Sequence, residues 1–341
     1  MTKEEKIAAF DPSGACANNS LFGLPFNAEE SNVILIPVPW EASVSFRRGT
    51  SCAPESIRQA SQQVDLCDAF LPDGWKNGYF LLAEDGALAE KSAEAQKLIE
   101  NRRSSEAKQK LDSTAAADLL CTDMIEQVRH KAKSWLDRGK IVAVLGGDHS
   151  TPLGLLQALS ELHATIGVLQ IDAHMDLREN FEGLRYSHAG IMRNALAIQQ
   201  IQKIVQVGVR DFCQDEWTFA QSHAERVQCF FDRQMQREKL EGRKWSSICE
   251  EVIGFLPQKV YVSLDIDGLD ASLCPSTGTP VPGGMKWEET LVLLEEIVRS
   301  GRQIIGFDLC EVGASNGDSW DAVVGAQLLY RLCNLSMASR P

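Results

Sequence analysis

The sequence predicts an α/β fold of three layers, with helices on both faces of a mostly parallel central sheet. Two observations carry this expectation. Short apolar runs rich in β-branched residues occur at 33–38, 141–145, 166–171, 204–209, 260–265 and 303–309, and they are apolar throughout instead of alternating. Such runs suit strands covered on both faces, as in a parallel sheet. Segments of helical character separate them, supplying the crossovers that parallel strands require.

Before the second run, residues 83–117 are rich in Ala, Glu, Lys, Gln and Ser and poor in large apolar side chains. This stretch reads as a solvated helix or a flexible insertion with a structural or assembly role. A helix is expected over 122–137, ahead of the second run, and another over 287–300, ahead of the last. Thr151 followed by Pro152 reads as an N-cap with proline at the first helical position, opening a helix through Leu162. That places His149 at a strand-to-helix turn. Nothing divides the chain, so its 341 residues are expected to form one domain, with an N-terminal extension over 1–31 and the polar insertion at 83–117.

The composition, 44% hydrophobic and 24% charged, is that of a soluble protein with a sizeable core. A net charge of -13 counts against nucleic-acid and anionic-membrane partners and is compatible with a small cationic one. No stretch has the apolar length of a membrane span. Lys3 and Lys6 alternate with Glu4 and Glu5 at the N-terminus, and no apolar run follows as in a signal peptide. The 10 cysteines are scattered without a C-x-x-C pair, which reads as reduced thiols in a cytoplasmic protein.

In an open parallel sheet the ligand site lies beyond the carboxyl ends of the strands. Three runs end there in polar clusters: Gly146-Gly147-Asp148-His149-Ser150, Asp172-Ala173-His174-Met175-Asp176, and Ser263-Leu264-Asp265-Ile266-Asp267-Gly268-Leu269-Asp270. Alternation along extended chain would project Asp172, His174 and Asp176 to one side, and likewise Asp265 and Asp267, with His149 as a sixth ligand. Carboxylates and imidazoles without cysteine favour manganese-like sites of five or six ligands over closed structural zinc. Four aspartates would repel one another around one divalent ion, whereas two ions balance them. Water between two such ions is acidified toward hydroxide, a nucleophile suited to a planar, electron-poor carbon.

These three clusters resemble the signature motifs of the ureohydrolase family, which includes arginases, agmatinases, guanidinases and formiminoglutamases, and the similarity runs from about Val33 to Leu335. The resemblance implies an arginase-like fold and hydrolysis of a guanidino C–N bond to urea and an amine. It implies one ion on His149, Asp172, Asp176 and Asp265 and another on Asp172, His174, Asp265 and Asp267, with Asp172 and Asp265 bridging. The ions expected are manganese first and nickel second. Catalytic duties fall on Asp172, His188 and Glu311. Glu311 would grip the guanidinium, and His188 in Tyr186-Ser187-His188-Ala189-Gly190, titrating near neutrality, would protonate the departing amine. Homo-oligomers, trimers or hexamers, are implied as well.

For the substrate, residues 177–186 lack the Asn- and Ser-rich pattern with which arginases hold an amino acid, so arginine is disfavoured and agmatine fits better. Leu21-Phe22-Gly23-Leu24-Pro25-Phe26, Pro37-Val38-Pro39-Trp40-Glu41, Val64-Asp65-Leu66 and Gly317-Asp318-Ser319-Trp320-Asp321 are instead similar to the guanidine-hydrolase branch. There Trp320 would narrow the pocket around a small cation, although it could equally be a core residue. Arg47 and Arg48 depart from that branch. The alternative of another class is an inactive metal-binding scaffold or regulatory protein, against which all six ligand positions are intact.

Overall fold

The computed structural model describes residues 1–14, 16, 18–44, 46–104, 107–314 and 320–340; of 103, 104 and 107–111 only the backbone is described. Eight strands form one sheet: β1 (Val33–Val38), β2 (Tyr79–Leu81), β3 (Ile141–Gly146), β4 (Ile166–Ile171), β5 (Ile201–Val209), β6 (Val227–Phe231), β7 (Lys259–Asp265) and β8 (Gln303–Cys310). Their order is β2-β1-β3-β8-β7-β4-β5-β6, and every pairing is parallel. All six expected runs are strands. β2 and β6 were not expected: one is three residues long, the other is mostly half-buried, and both lie at the edges of the sheet, where neither length nor apolarity marks a strand.

Helices cover both faces and divide the core in two. One half packs Ile57, Leu293, Leu294 and Leu329 on side chains such as Leu145, Leu169 and Phe307. The other packs Met124, Val128, Leu155 and Ile191 on Val144, Val168 and Ile204. The helix before β8 runs Trp287–Arg299, close to expectation, while the one before β3 starts at Ala107 and ends at Leu136. The helix after β3 is shorter than expected, Leu153–Ser160. Pro152, which has no side-chain hydrogen-bonding atom, occupies its N-cap, and the Thr151 hydroxyl is directed to the carbonyl of Asp148, 3.1 Å away.

The polar stretch at 83–117 is neither detached nor wholly solvated. It contains the helix Gly86–Ser104 and the start of Ala107–Leu136; the two pack on each other, and the second also packs on β1 and β3. Leu88, Ser92, Ala95 and Ile99 form a buried stripe on the first, and Ala117, Cys121, Met124 and Val128 on the second. Spacings of three and four put each set on one helix face. Half of the stripe residues, Ser92, Ala95, Ala117 and Cys121, are small, which helps conceal the stripes in the composition. The N-terminal segment contributes to the core as well, through Leu21, Phe22, Leu24 and Phe26.

Candidate active site

Four neighbouring central strands, β3, β8, β7 and β4, deliver the candidate residues from their carboxyl ends. His149 follows β3, Glu311 follows β8, Asp265 ends β7, and Asp172, His174 and Asp176 follow β4. The registers Leu145 with Leu309, Asp265 with Cys310 and Leu264 with Ile171 bring these ends to one level. Strand alternation is not what gathers the ligands. Asp176 adopts a left-handed φ of 54°, and Asp267 sits in the 3-10 turn Ile266–Gly268, capped by the Asp265 carboxylate at 2.8 Å. Convergence comes from turn geometry after the strands.

His149 Nδ1 is buried and has no hydrogen-bond partner. It faces Oδ2 of Asp172 at 3.0 Å, of Asp176 at 3.1 Å and of Asp265 at 3.4 Å. The other ring nitrogen, Nε2, lies 2.9 Å from the Ser263 hydroxyl and 3.7 Å from Asp308 Oδ1. Donation from Nε2 to this pair leaves the Nδ1 lone pair aimed at the carboxylates, the tautomer a cation ligand needs. His174 Nδ1 lies 3.1 Å from Asp267 Oδ2 and 3.5 Å from Asp172 Oδ1. Three groups of potential ligand atoms result among the described residues: His149-Asp172-Asp176 and Asp172-His174-Asp267, which share Asp172, and His149-Asp308-Cys310 on the other side of the imidazole; Asp265 belongs to none of them.

The electrostatics are those of a site short of positive charge. Burial, then the neighbouring Asp172, pushes Asp176 up to about 7. Burial followed by Asp267, Asp172 and Glu311 raises Asp265 well above the carboxylate range. Burial also opposes the charged forms of Asp172, His149 and His174, yet their mutual contacts carry Asp172 below its ordinary value, His149 well above its own and His174 up to about 12. The four aspartates are at most 5% exposed, and among the described residues no Lys or Arg forms an ion pair with them. Oxygen and imidazole donors around an orphaned Nδ1 fit divalent cations.

A row of buried polar residues runs across the sheet one step below the site. Gln206 on β5, Gln170 on β4, Ser263 on β7 and Asp308 on β8 are aligned in register, and none has measurable exposure. Gln206 Nε2 donates to Gln170 Oε1 at 2.5 Å and to the Met175 carbonyl at 2.6 Å; Gln170 Nε2 donates to Asp172 Oδ2 at 2.7 Å. The row thus holds Asp172 from one side and His149 from the other. The sequence reading passed over it, although its signal was present: single polar residues inside otherwise apolar strands.

Glu311 is buried, with φ 59°, and its amide is fixed by the Gly147 carbonyl at 2.8 Å. Oε1 accepts the His149 amide at 2.9 Å. Oε2 faces Gly278, where an added Cβ would lie 2.9 Å from it. Burial, then the charge of Asp148, raises the Glu311 pKa well above the usual range. A carboxylate held by one oxygen beside a residue without a side chain is open to a planar cation on the other.

His188 is half-buried and linked to the first motif through Ser43, a residue the sequence reading did not single out. Ser43 Oγ lies 2.9 Å from His188 Nδ1 and 3.1 Å from Asp148 Oδ2, and it accepts the His188 amide at 3.0 Å. Asp148 accepts from the amides and hydroxyls of both Ser43 and Ser150, so it is an acceptor throughout. The Ser43 hydroxyl therefore points to Asp148, and His188 carries its proton on Nδ1. Burial, then His174 and His149, pushes the imidazole down to about 4. That lies below the near-neutral titration expected from the sequence and leaves the ring uncharged at pH 7.

His174, Asp176 and His188 open into a cleft of about 510 Å³ that is lined toward its mouth by Phe46, Phe181, Phe212 and Asp211, while Glu311 and His149 do not line it. Trp320 is not among the lining residues. It starts the helix Trp320–Ala338, is 47% exposed, and donates its indole N–H to the Ser272 carbonyl at 3.1 Å. Residues 317–319 of its motif, and Ser45 beside the two arginines, lie outside the described residues. Arg47 bonds the Pro275 carbonyl, and Arg48 pairs with Glu100. Glu179, in the loop read as suiting agmatine, faces Arg193 at 3.5 Å and lines a different cavity.

Comparison with known proteins places the chain in a family. The model of the arginase family matches residues 31–334. The N(1)-aminopropylagmatine ureohydrolase of Thermus thermophilus is 32% identical over 307 residues, 90% of this chain and 91% of that one. An agmatinase of Bacillus anthracis is 27% identical, covering 89% and 91% of the two chains. Among solved structures, the agmatine ureohydrolase of Thermoplasma volcanium superposes with a TM-score of 0.71 at 22% identity, covering 98% of each chain. The proclavaminate amidino hydrolase of Streptomyces clavuligerus gives 0.74 at 22% identity, covering 96% of this chain and all of the other. Below 25% identity these two speak for the fold alone.

Proposed function

Because the chain belongs to the arginase family, we propose that it is a ureohydrolase with two divalent cations, acting on a guanidino compound that carries a second cation, agmatine or an extended relative of it. The observation that carries the reading is the unpartnered Nδ1 of His149 facing three buried carboxylates, with His174 and Asp267 forming a second group through Asp172. His149, Asp172, Asp176 and Asp265 would hold one ion, and Asp172, His174, Asp265 and Asp267 the other. Bound there, such ions supply water acidified enough to act as a nucleophile at neutral pH. Their identity is read as manganese, with nickel as the second choice, from the oxygen and imidazole donors.

Glu311 Oε2, beside Gly278, receives the guanidinium N–H groups and orients the planar carbon toward the centre. His188, neutral and with its proton on Nδ1, offers the Nε2 lone pair. It takes a proton from the attacking water and hands it to the departing nitrogen as the C–N bond breaks and the C–O bond of urea forms. Ser43 and Asp148 hold the ring in that tautomer.

The cleft favours a long substrate over bare guanidine. Phe46, Phe181 and Phe212 offer contact to a methylene chain, and Asp211, bridged through its backbone to His174, offers a carboxylate to a distal ammonium. Arg47 and Arg48 are drawn away by Pro275 and Glu100, which relieves their conflict with a cationic substrate. The test is urea release by protein loaded with manganese or nickel, on agmatine, aminopropylagmatine, guanidine, arginine and guanidino acids. Fastest turnover of bare guanidine would favour the guanidinase alternative. No urea from any of them, with both ions bound, would leave the scaffold alternative standing and sink the hydrolase reading.

A further inference from the structure

We infer that a second cavity, walled by Arg185, Arg193 and Arg226, binds a small oxyanion carrying two or more negative charges, a phosphate or a dicarboxylate. The cavity measures about 570 Å³ and shares no lining residue with the substrate cleft. The side chains of Arg193 and Arg226 and the backbone of Arg185 are held in place. The Arg193 guanidinium lies 4.2 Å from the centre of the Phe219 ring, which stacks on His223 at 4.1 Å and 27°. Arg226 Nη2 donates to the carbonyls of Leu196 and Ile201 at 2.9 and 2.6 Å. The backbone of Arg185 is pinned by Asp118 Oδ1 at 3.0 Å on its amide and Asn194 Nδ2 at 3.0 Å on its carbonyl.

Two of the three guanidiniums have no ion-pair partner among the described residues. Among the described residues, no carboxylate pairs with Arg185 or Arg226, and Glu179, the one carboxylate in the lining, reaches only Arg193, at 3.5 Å with 76% of its side chain exposed. Arg226 Nε is buried without an acceptor. Three guanidiniums around one cavity stand against a net charge of -13, so the local excess of cation is not a reflection of the overall composition. Planar multi-donor forks suit the paired oxygens of phosphate and carboxylate. The loop between Arg178 and His188 walls both cavities: Arg178, Phe181 and His188 line the cleft, whereas Glu179, Gly183 and Arg185 line the anion cavity.

The test is isothermal titration of the full-length, metal-loaded protein with inorganic phosphate and, separately, succinate, at an ionic strength fixed with sodium chloride. Saturable binding of at least one is expected, weakened about tenfold or more in R185Q/R193Q and strengthened severalfold in E179Q, which removes the competing carboxylate. Preference for phosphate or for succinate identifies the source of the oxygens. Unchanged affinity in R185Q/R193Q, with circular dichroism showing it folded, would place the anion elsewhere and overturn the assignment. Absence of saturable heat up to about 10 mM of either anion would do the same.

Discussion

The amide nitrogen of Gln170 donates to Oδ2 of Asp172 at 2.7 Å, and its oxygen in turn accepts from Gln206 at 2.5 Å. Asp172 is the carboxylate shared by two of the candidate ligand groups, so the orientation of its oxygens bears on each. Gln170→Leu removes the donor and leaves the Gln206 amide short of a partner in a buried layer. The expected result is a loss of metal affinity of about 10- to 100-fold. Stability should fall by roughly 1–3 kcal/mol. Metal titration and urea denaturation check the two separately. Unaltered metal affinity would mean that the bond is packing alone.

Gly278 is expected to be a residue of the guanidinium site by virtue of what it lacks. A Cβ there would lie 2.9 Å from Glu311 Oε2, and the carboxylate cannot swing freely because Oε1 is held by the His149 amide. Gly278→Ala should therefore displace the carboxylate by a fraction of an ångström. Misplacement on this scale costs up to about 100-fold in kcat/KM. Metal content, measured by atomic absorption, should stay as in the parent protein, because no ligand of the candidate centre is touched.

The three motifs were legible because their chemistry is written in residue type and position: His and Asp at the ends of apolar runs. Ser43 was not, since its role depends on a loop after β1 that returns to the first motif. Glu41 organises that loop, accepting the amides of Gly49 and Ser51 at 2.8 and 3.0 Å, and it is gripped by Gln96 at 3.1 Å from the polar helix Gly86–Ser104. The stretch read as an insertion apart from the chemistry thus braces the segment on which His188 rests. The reason given for the ligand set was incomplete, because Asp176 in a left-handed conformation is outside what strand alternation describes. Trp320 shows the opposite limit. Its motif matched a branch of the family, while its indole is engaged with Ser272 outside the cleft lining.

Removing the cations is expected to destabilise the fold and not merely silence it. Asp172, Asp176, Asp265 and Asp267 are buried against one another, and among the described residues their only ion-pair partners are His149 and His174. A ligand at a hundred times its Kd contributes about 2.7 kcal/mol, so chelation should lower Tm by several degrees. Calorimetry with and without a chelator measures this, and adding back manganese should restore the original value. An unchanged Tm would argue against a resident metal centre.

His188 gives a prediction in pH. Its folded pKa of about 4 is below the value of about 6.5 for a free imidazole, so the unfolded chain takes up a proton first on acidification. With the folded pKa depressed, its contribution is constant above about 6.5 and is lost as pH falls from there toward 4. The full shift corresponds to a loss on the order of 3 kcal/mol, an upper figure for a half-buried ring. His188→Gln cannot titrate. The stability difference between parent and variant, from urea melts, should be flat above pH 6.5 and shift in the variant's favour below it. Comparing the two proteins at each pH cancels the titration of the metal ligands, which they share. Bound cations would push the imidazole the same way, so the window should persist in the metal-loaded protein. A difference that changes between pH 7 and 9 instead would show that another group, not His188, sets it.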